Sequence, residues 1–121
     1  MKIPLTRMGR ALFLRAYIDV VVPLQIRVMR YRRGWTQKHL GSLVGMSQSE
    51  IARVERIGFG SKISIRTLHR VSEAFDCAIS VRYVGWGQFS RESLPVNSEM
   101  LGVKSWDEEY GKQKGPDHEQ E

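Results

Sequence analysis

The sequence predicts a mainly α-helical bundle of about five helices, followed by one β-strand and a disordered tail. Three observations carry this. Residues 37–56, QKHLGSLVGMSQSEIARVER, read as two short helices joined by a tight turn. Residues 78–84, AISVRYV, alternate and are rich in β-branched and aromatic side chains. Beyond Tyr110 the chain carries only Gly, Lys, Gln, Pro, His and acids, too polar to pack a core. At 121 residues the chain is long enough for one domain with appendages.

Residues 1–22 open with a short polar lead and then become apolar through Leu5, Met8, Leu12, Phe13, Ala16, Tyr17 and Val20. Thr6 is placed to cap a helix running to about Val21, although the valine run 20–22 locally favours strand. Val22 precedes Pro23 and should be pushed out of the α region, which predicts a break or kink there. Pro23 then becomes the first residue of the next helix, where its missing N–H does no harm. The extra N-terminal helix either packs on the domain or contacts a second copy, and both readings stand.

The helix Pro23–Arg33 carries Leu24, Ile26 or Arg27, Val28 and Tyr31 around its face, and Gly34 closes it. Arg30, Arg32 and Arg33 near its end suit the helix dipole as well as a phosphate. Trp35 sits just ahead of the Thr36 cap, in position to pack on His39 or Leu40.

The two central helices follow. Thr36 caps the first at Gln37, and Leu40, Leu43 and Val44 fall on one face. Gly45 ends it where a positive φ is wanted. Ser47 opens the second helix with Glu50 three residues on, a capping box, and Ile51 and Val54 face inward. The turn is only Gly45-Met46-Ser47, so the helices must cross closely, and the small residue this requires is Gly41. Ile57–Ile63 is a glycine-containing loop, Ser64 caps a helix Ile65–Phe75 with Leu68, Val71, Ser72 and Phe75 inside, and Asp76 terminates it.

Through Trp35-Thr36-Gln37, Leu40-Gly41, Gly45-Met46-Ser47 and Ile51-Ala52-Arg53-Val54-Glu55, the sequence resembles the Xre/Cro or lambda-repressor-like helix–turn–helix family, from about Gln25 to Val84. The resemblance implies a lambda-repressor-like bundle whose second motif helix enters the major groove of duplex DNA. Gln48, Ser49 and Arg53, opposite Ile51 and Val54, are then the positions that reach base edges, and Ala52 between them faces a thymine methyl. Gln37 and Ser47, at helix N-termini, are expected to fix phosphates, together with Lys38, Arg56, Lys62 and Arg66. Glu50 is read as a cap ahead of a cytosine acceptor, and Glu55 as pairing within the chain with an arginine of the first helix. Two departures stand out. The family usually has Ala at position 41, where Gly costs about 1 kcal/mol of helix stability. It also tends to place Gly two residues after the Glu, whereas here Gly58 comes one later, which lengthens the loop. Phosphate contacts there carry over least.

The strand expected at Ala78–Val84 has no good partner in the chain, and a strand alone leaves its backbone groups unpaired. Antiparallel pairing with a second copy is the economical solution, with Ile79, Val81, Tyr83, Trp86 and Phe89 at the dimer interface. Gly85–Phe89 reads as an aromatic turn, and Asn97–Glu109 holds one possible turn of helix, a pattern similar to the tail of some small regulators of the family. Four regions result: an N-terminal helix (1–22), the helix–turn–helix domain (23–76), a strand and aromatic turn for dimerisation (77–90), and an acidic, partly disordered tail (91–121).

Charge is divided along the chain. Between Arg27 and Arg70 ten Lys/Arg face two acids, a segment at +8, whereas from Glu92 onward eight acids face three lysines. The basic segment fits a polyanion, because each phosphate contact gains from counterion release. The histidines His39, His69 and His118 lack metal spacing and no glycine-rich phosphate loop follows a strand, so an enzyme, a metal site and a cofactor are not expected. The single cysteine, Cys77, permits no internal disulfide and reads as a buried small hydrophobe, which suits a reducing cytoplasm. The apolar run Ala11–Leu24 is broken by Arg15, Asp19 and Pro23, which argues against a membrane span, and no secretory signal pattern is seen. The expected function is a sequence-specific, cytoplasmic regulator, a homodimeric repressor bound to double-stranded DNA at the nucleoid. The alternative is an antitoxin that binds both a toxin protein and its own operator.

Overall fold

The computed structural model describes residues 2–111. Helices account for its architecture: α1 (Arg7–Arg32), α2 (Gln37–Val44), α3 (Gln48–Val54), a 3-10 turn (Gly60–Lys62), α4 (Ile65–Phe75), α5 (Trp86–Ser93), α6 (Ser98–Leu101) and α7 (Trp106–Tyr110). The core lies where α1, α2, α3 and α4 meet and is made of Ile26, Met29, Leu40, Val44, Ile51, Val54, Val71 and Phe75. Trp35 packs across its edge, stacked on Phe75 at 5.6 Å and edge-on to His39 at 5.1 Å.

The local signals at the centre act as expected. Thr36, Ser47 and Ser64 each accept an amide of the first turn of α2, α3 and α4, which satisfies a donor the helix cannot. Gly45 has φ +80° and closes α2, and a Cβ at Gly41 would run into the backbone carbonyl of Met46. Leu43 departs from the prediction. It is 48% exposed, because the short turn rotates α2 so that only Leu40 and Val44 reach the core.

Four further expectations are corrected. The N-terminal helix does not break at Pro23: α1 runs unbroken over 26 residues with Pro23 inside it and fully buried. A proline in a helix interior costs about 3 kcal/mol, in part because the carbonyl four residues earlier loses its donor. Here that carbonyl belongs to Asp19, and the Gly58 amide donates to it at 2.8 Å. The missing helical bond is replaced from another part of the chain.

The β-strand at 78–84 is the second. No strand occurs among the described residues, and Ala78–Val84 runs as irregular backbone with exposed side chains. Local β-propensity does not make a strand without a ladder partner, and the described residues supply none. The third concerns Gly85–Phe89, which is not a turn but the start of α5. Phe89 packs edge-on against Tyr17 of α1 at 4.9 Å, and the Tyr17 hydroxyl donates to the Ser93 carbonyl at 3.0 Å.

The fourth is the tail. The one turn of helix expected within Asn97–Glu109 is present as α6, but a second helix, α7, follows it and the segment is held against the end of α1. Leu101 is 2% exposed. Gln25 Nε2 donates to the Leu101 carbonyl at 3.4 Å, an Arg32 guanidinium nitrogen to the Ser98 carbonyl at 2.8 Å, and the Trp106 amide to the Asp76 carbonyl at 2.8 Å. Arg33 donates to the Phe75 and Val103 carbonyls at 3.1 and 3.3 Å and lies 3.9 Å from the Glu108 carboxylate. Arg32 and Arg33 thus tie the C-terminal segment to the bundle. The disorder expected over Tyr110–Glu121 does not hold at Tyr110, which ends α7, and residues 112–121 lie outside the described residues.

Candidate nucleic-acid interface

The turn between α2 and α3 presents the start of α3 outward. Ser47 accepts the Glu50 amide at 3.1 Å while the Glu50 carboxylate accepts the Ser47 amide at 3.0 Å. Those bonds from Ser47 hold the Glu50 carboxyl below the usual carboxylate range. Glu50 is therefore committed to its cap, and the Ser47 amide is already satisfied. Ser47 is exposed at the head of α3, with both its amide and its hydroxyl turned to Glu50.

A polar chain runs from the core to this surface. Arg30 and Glu55 meet in two charge-assisted hydrogen bonds, Nε to Oε2 at 2.6 Å and a terminal nitrogen to Oε1 at 2.8 Å, with both residues buried. The carboxylate holds the Arg30 guanidinium above its usual pKa range. Gln37 Nε2 donates to Glu55 Oε1 at 3.2 Å, and Gln48 Nε2 donates to Gln37 Oε1 at 2.7 Å. With Gln48 Nε2 engaged by Gln37, its Oε1 is the acceptor that remains. Arg27 donates to the Glu55 carbonyl at 2.8 Å, and Arg70 to the Val44 and Gly45 carbonyls at 2.6 and 3.2 Å. These two arginines hold the ends of α3 and α2, satisfying carbonyls that helix termini leave open.

The sequence-derived positions differ in exposure. Gln48, Ser49 and Arg53 are exposed along α3 and Ala52 is half-buried between them. Lys38, Arg56, Lys62 and Arg66 are exposed on α2, the loop and α4, whereas Gln37 is half-buried as the link to Glu55. Of the positions expected at a dimer interface, Ile79, Val81 and Tyr83 are exposed, whereas Trp86 and Phe89 are half-buried, with Phe89 against Tyr17 of its own chain.

The basic segment is thus of two kinds. Arg27, Arg30, Arg32, Arg33 and Arg70 bond to groups of the protein, and a charge count alone gave no way to separate them from the exposed cations. Arg27 and Arg70 are the residues sequence reasoning missed. Their signal was weak: each is a cation next to buried apolar positions of its helix, Arg27 beside Ile26 on α1 and Arg70 beside Val71 on α4.

No helix among the described residues is long and apolar enough to cross a membrane, and no group of His, Cys, Asp or Glu among them is arranged to hold a metal ion. Burial pushes the Cys77 thiol pKa up, away from nucleophile chemistry. Residues 26–81 match a family model described as helix-turn-helix. Neither a curated protein nor a solved structure matches the chain.

Proposed function

Residues 26–81 belong to the Xre/lambda-repressor-like helix–turn–helix family of DNA-binding transcriptional regulators, and from that premise we propose that the chain is a sequence-specific repressor acting as a homodimer on double-stranded DNA. The observation that carries this reading is the chain of bonds Arg30–Glu55–Gln37–Gln48, which ends on an exposed amide at the start of α3. An amide held in one orientation before DNA arrives loses little rotamer freedom on binding, so its discrimination between bases is retained.

In this reading Gln48, Ser49, Ala52 and Arg53 read bases, with Arg53 suited to guanine and Gln48 to adenine. Lys38, Arg56, Lys62 and Arg66, with Ser47 at the head of α3 and the N-terminal turn at Gln37, meet phosphates. Assembly of two copies uses the exposed residues Ile79, Val81 and Tyr83, since a single motif covers about one half-site and a two-fold pair doubles the contact. A second reading, an antitoxin that also binds a protein toxin, draws on the exposed apolar residues Leu5, just ahead of α1, and Met8 and Leu12 in its first turns. Selection of bound sequences from random duplex DNA tests the main reading. A palindromic consensus with half-sites about one helical turn apart supports a dimeric reader, and the absence of any enriched sequence contradicts it.

A further inference from the structure

The loop that follows α3 is fastened to a part of α1 outside the matched residues 26–81. Two amides of the loop converge on one residue. The Gly58 amide donates to the Asp19 carbonyl at 2.8 Å, and the Ser61 amide donates to Asp19 Oδ1, also at 2.8 Å. The carbonyl is open to Gly58 because Pro23, four residues on, brings no N–H to it. The approach is close as well: Gly60 is buried, and a Cβ there would collide with the Ile18 carbonyl. Gly58 itself has φ +99°, a conformation that admits Gly with least strain. Pro23, Asp19, Gly58, Gly60 and Ser61 therefore form one docking joint.

We infer that Asp19 is a positioning residue for DNA binding, holding the loop 56–62 so that Arg56 and Lys62 meet consecutive phosphates beside α3. The inference rests on the DNA-binding reading above. The loop is longer than the family pattern by the placement of Gly58; within the matched domain Phe59 packs on the core, and the backbone on either side of it is fixed from outside that domain. The N-terminal half of α1 provides that anchor. The hydrogen bonds from Ser61 hold the Asp19 carboxyl below its usual range, so the acceptor is charged at neutral pH. Arg15, 4.0 Å from the carboxylate on the same helix, and Lys62 add to this.

Charge and placement predict opposite signs for the removal of Asp19. On charge alone, deleting a carboxylate near Lys62 strengthens binding to a polyanion. If Asp19 places the loop, Asp19→Ala weakens it. Binding of a mixed-sequence duplex by the full chain is followed by fluorescence anisotropy across a salt series, with thermal melting measured alongside. Asp19→Ala is expected to lower affinity about tenfold and to reduce the slope of log affinity on log salt by about one to two, the loss of one or two phosphate contacts. Asp19→Asn keeps an Oδ1 acceptor for Ser61 and should lie close to wild type. Pro23→Ala returns an N–H to compete with Gly58 for the Asp19 carbonyl. It should fold, with better helix propensity, and still show a reduced slope. Affinity that rises in Asp19→Ala, or a lowered melting point with an unchanged slope in both Asp19→Ala and Pro23→Ala, overturns the inference. A wild-type chain that binds no duplex overturns the DNA-binding reading itself, and faster hydrogen exchange at Gly58 and Ser61 in Asp19→Ala then reports the joint without DNA.

Discussion

Arg30 of α1 and Glu55, the residue that caps the end of α3, face each other across the core with two hydrogen bonds and almost no exposure to water. Both charges have left solvent, so each depends on the other for its stability in the interior. Replacing Arg30 by Met removes one and strands the other. The expected loss is about 3–5 kcal/mol of folding stability, read by chemical denaturation. The double variant Arg30→Met, Glu55→Leu should recover much of that loss, because no buried charge is left unpaired. It should nevertheless bind DNA less selectively, since Gln37 loses the acceptor that orients it toward Gln48.

Base readers and phosphate contacts should separate by what their loss does to specificity. Gln48→Ala and Arg53→Ala each remove an exposed side chain at the start or middle of α3, so the fold stays intact. Each is expected to cost about 1–3 kcal/mol of discrimination at one or two base positions. Lys62→Ala and Arg66→Ala should instead weaken specific and non-specific duplexes alike and lower the salt slope by about one each. An Arg53→Ala variant that weakened every sequence equally would remove Arg53 from the set of base readers.

How much of this was legible beforehand depends on the range over which each choice is made. The caps at Thr36, Ser47 and Ser64, the αL glycine at 45 and the small residue at 41 act within a few residues, and the sequence states them directly. The pairing of Glu55 with an arginine of the first helix was legible because the motif leaves no other use for an acid on that inner face. Pro23 was misread because its compensation comes from Gly58, far along the chain. Leu101 escaped for the same reason: the groups that fix its helix are Gln25 and Arg32. The irregular course of 78–84 shows the converse, since strong local β-propensity came to nothing without a partner. At the site, the exposed cations were identified, but the division of the arginines into clamps and contacts was set by tertiary geometry.

The capping acids give the protein an acid-side weakness. Asp19, Glu50 and Glu108 each have a carboxyl pKa depressed by hydrogen bonds, to Ser61, Ser47 and Ser105 in turn. A group whose folded pKa lies below its unfolded value contributes stability above the unfolded pKa and loses it as pH falls through the folded one. Melting temperature is therefore expected to be flat near neutrality and to fall below about pH 4, where carboxylates in the unfolded chain begin to protonate. Glu50→Gln should lower the neutral melting point slightly and flatten the acid limb. A steeper acid limb in that variant would contradict the assignment of Glu50 as a charged cap.

Assembly has its own test in the exposed apolar residues after α4. Val81→Asp and Tyr83→Asp place charge where two copies are proposed to meet, on side chains that are mostly exposed in one copy. Sedimentation at micromolar concentration should give dimers for the wild type and monomers for the double variant, with unchanged helicity. Dimers that persist would move the interface elsewhere, with the apolar start of α1 as the next surface to examine.

The central claim is that this chain binds duplex DNA through α3 and the exposed cations around it, and the most direct measurement is affinity against salt concentration. With several of Lys38, Arg53, Arg56, Lys62 and Arg66 engaged on each copy, the affinity should fall about a hundredfold or more between 50 and 200 mM salt. It should also be higher for the selected sequence than for a scrambled duplex at every point. A flat salt dependence, or equal affinity for the two duplexes throughout, would contradict the account.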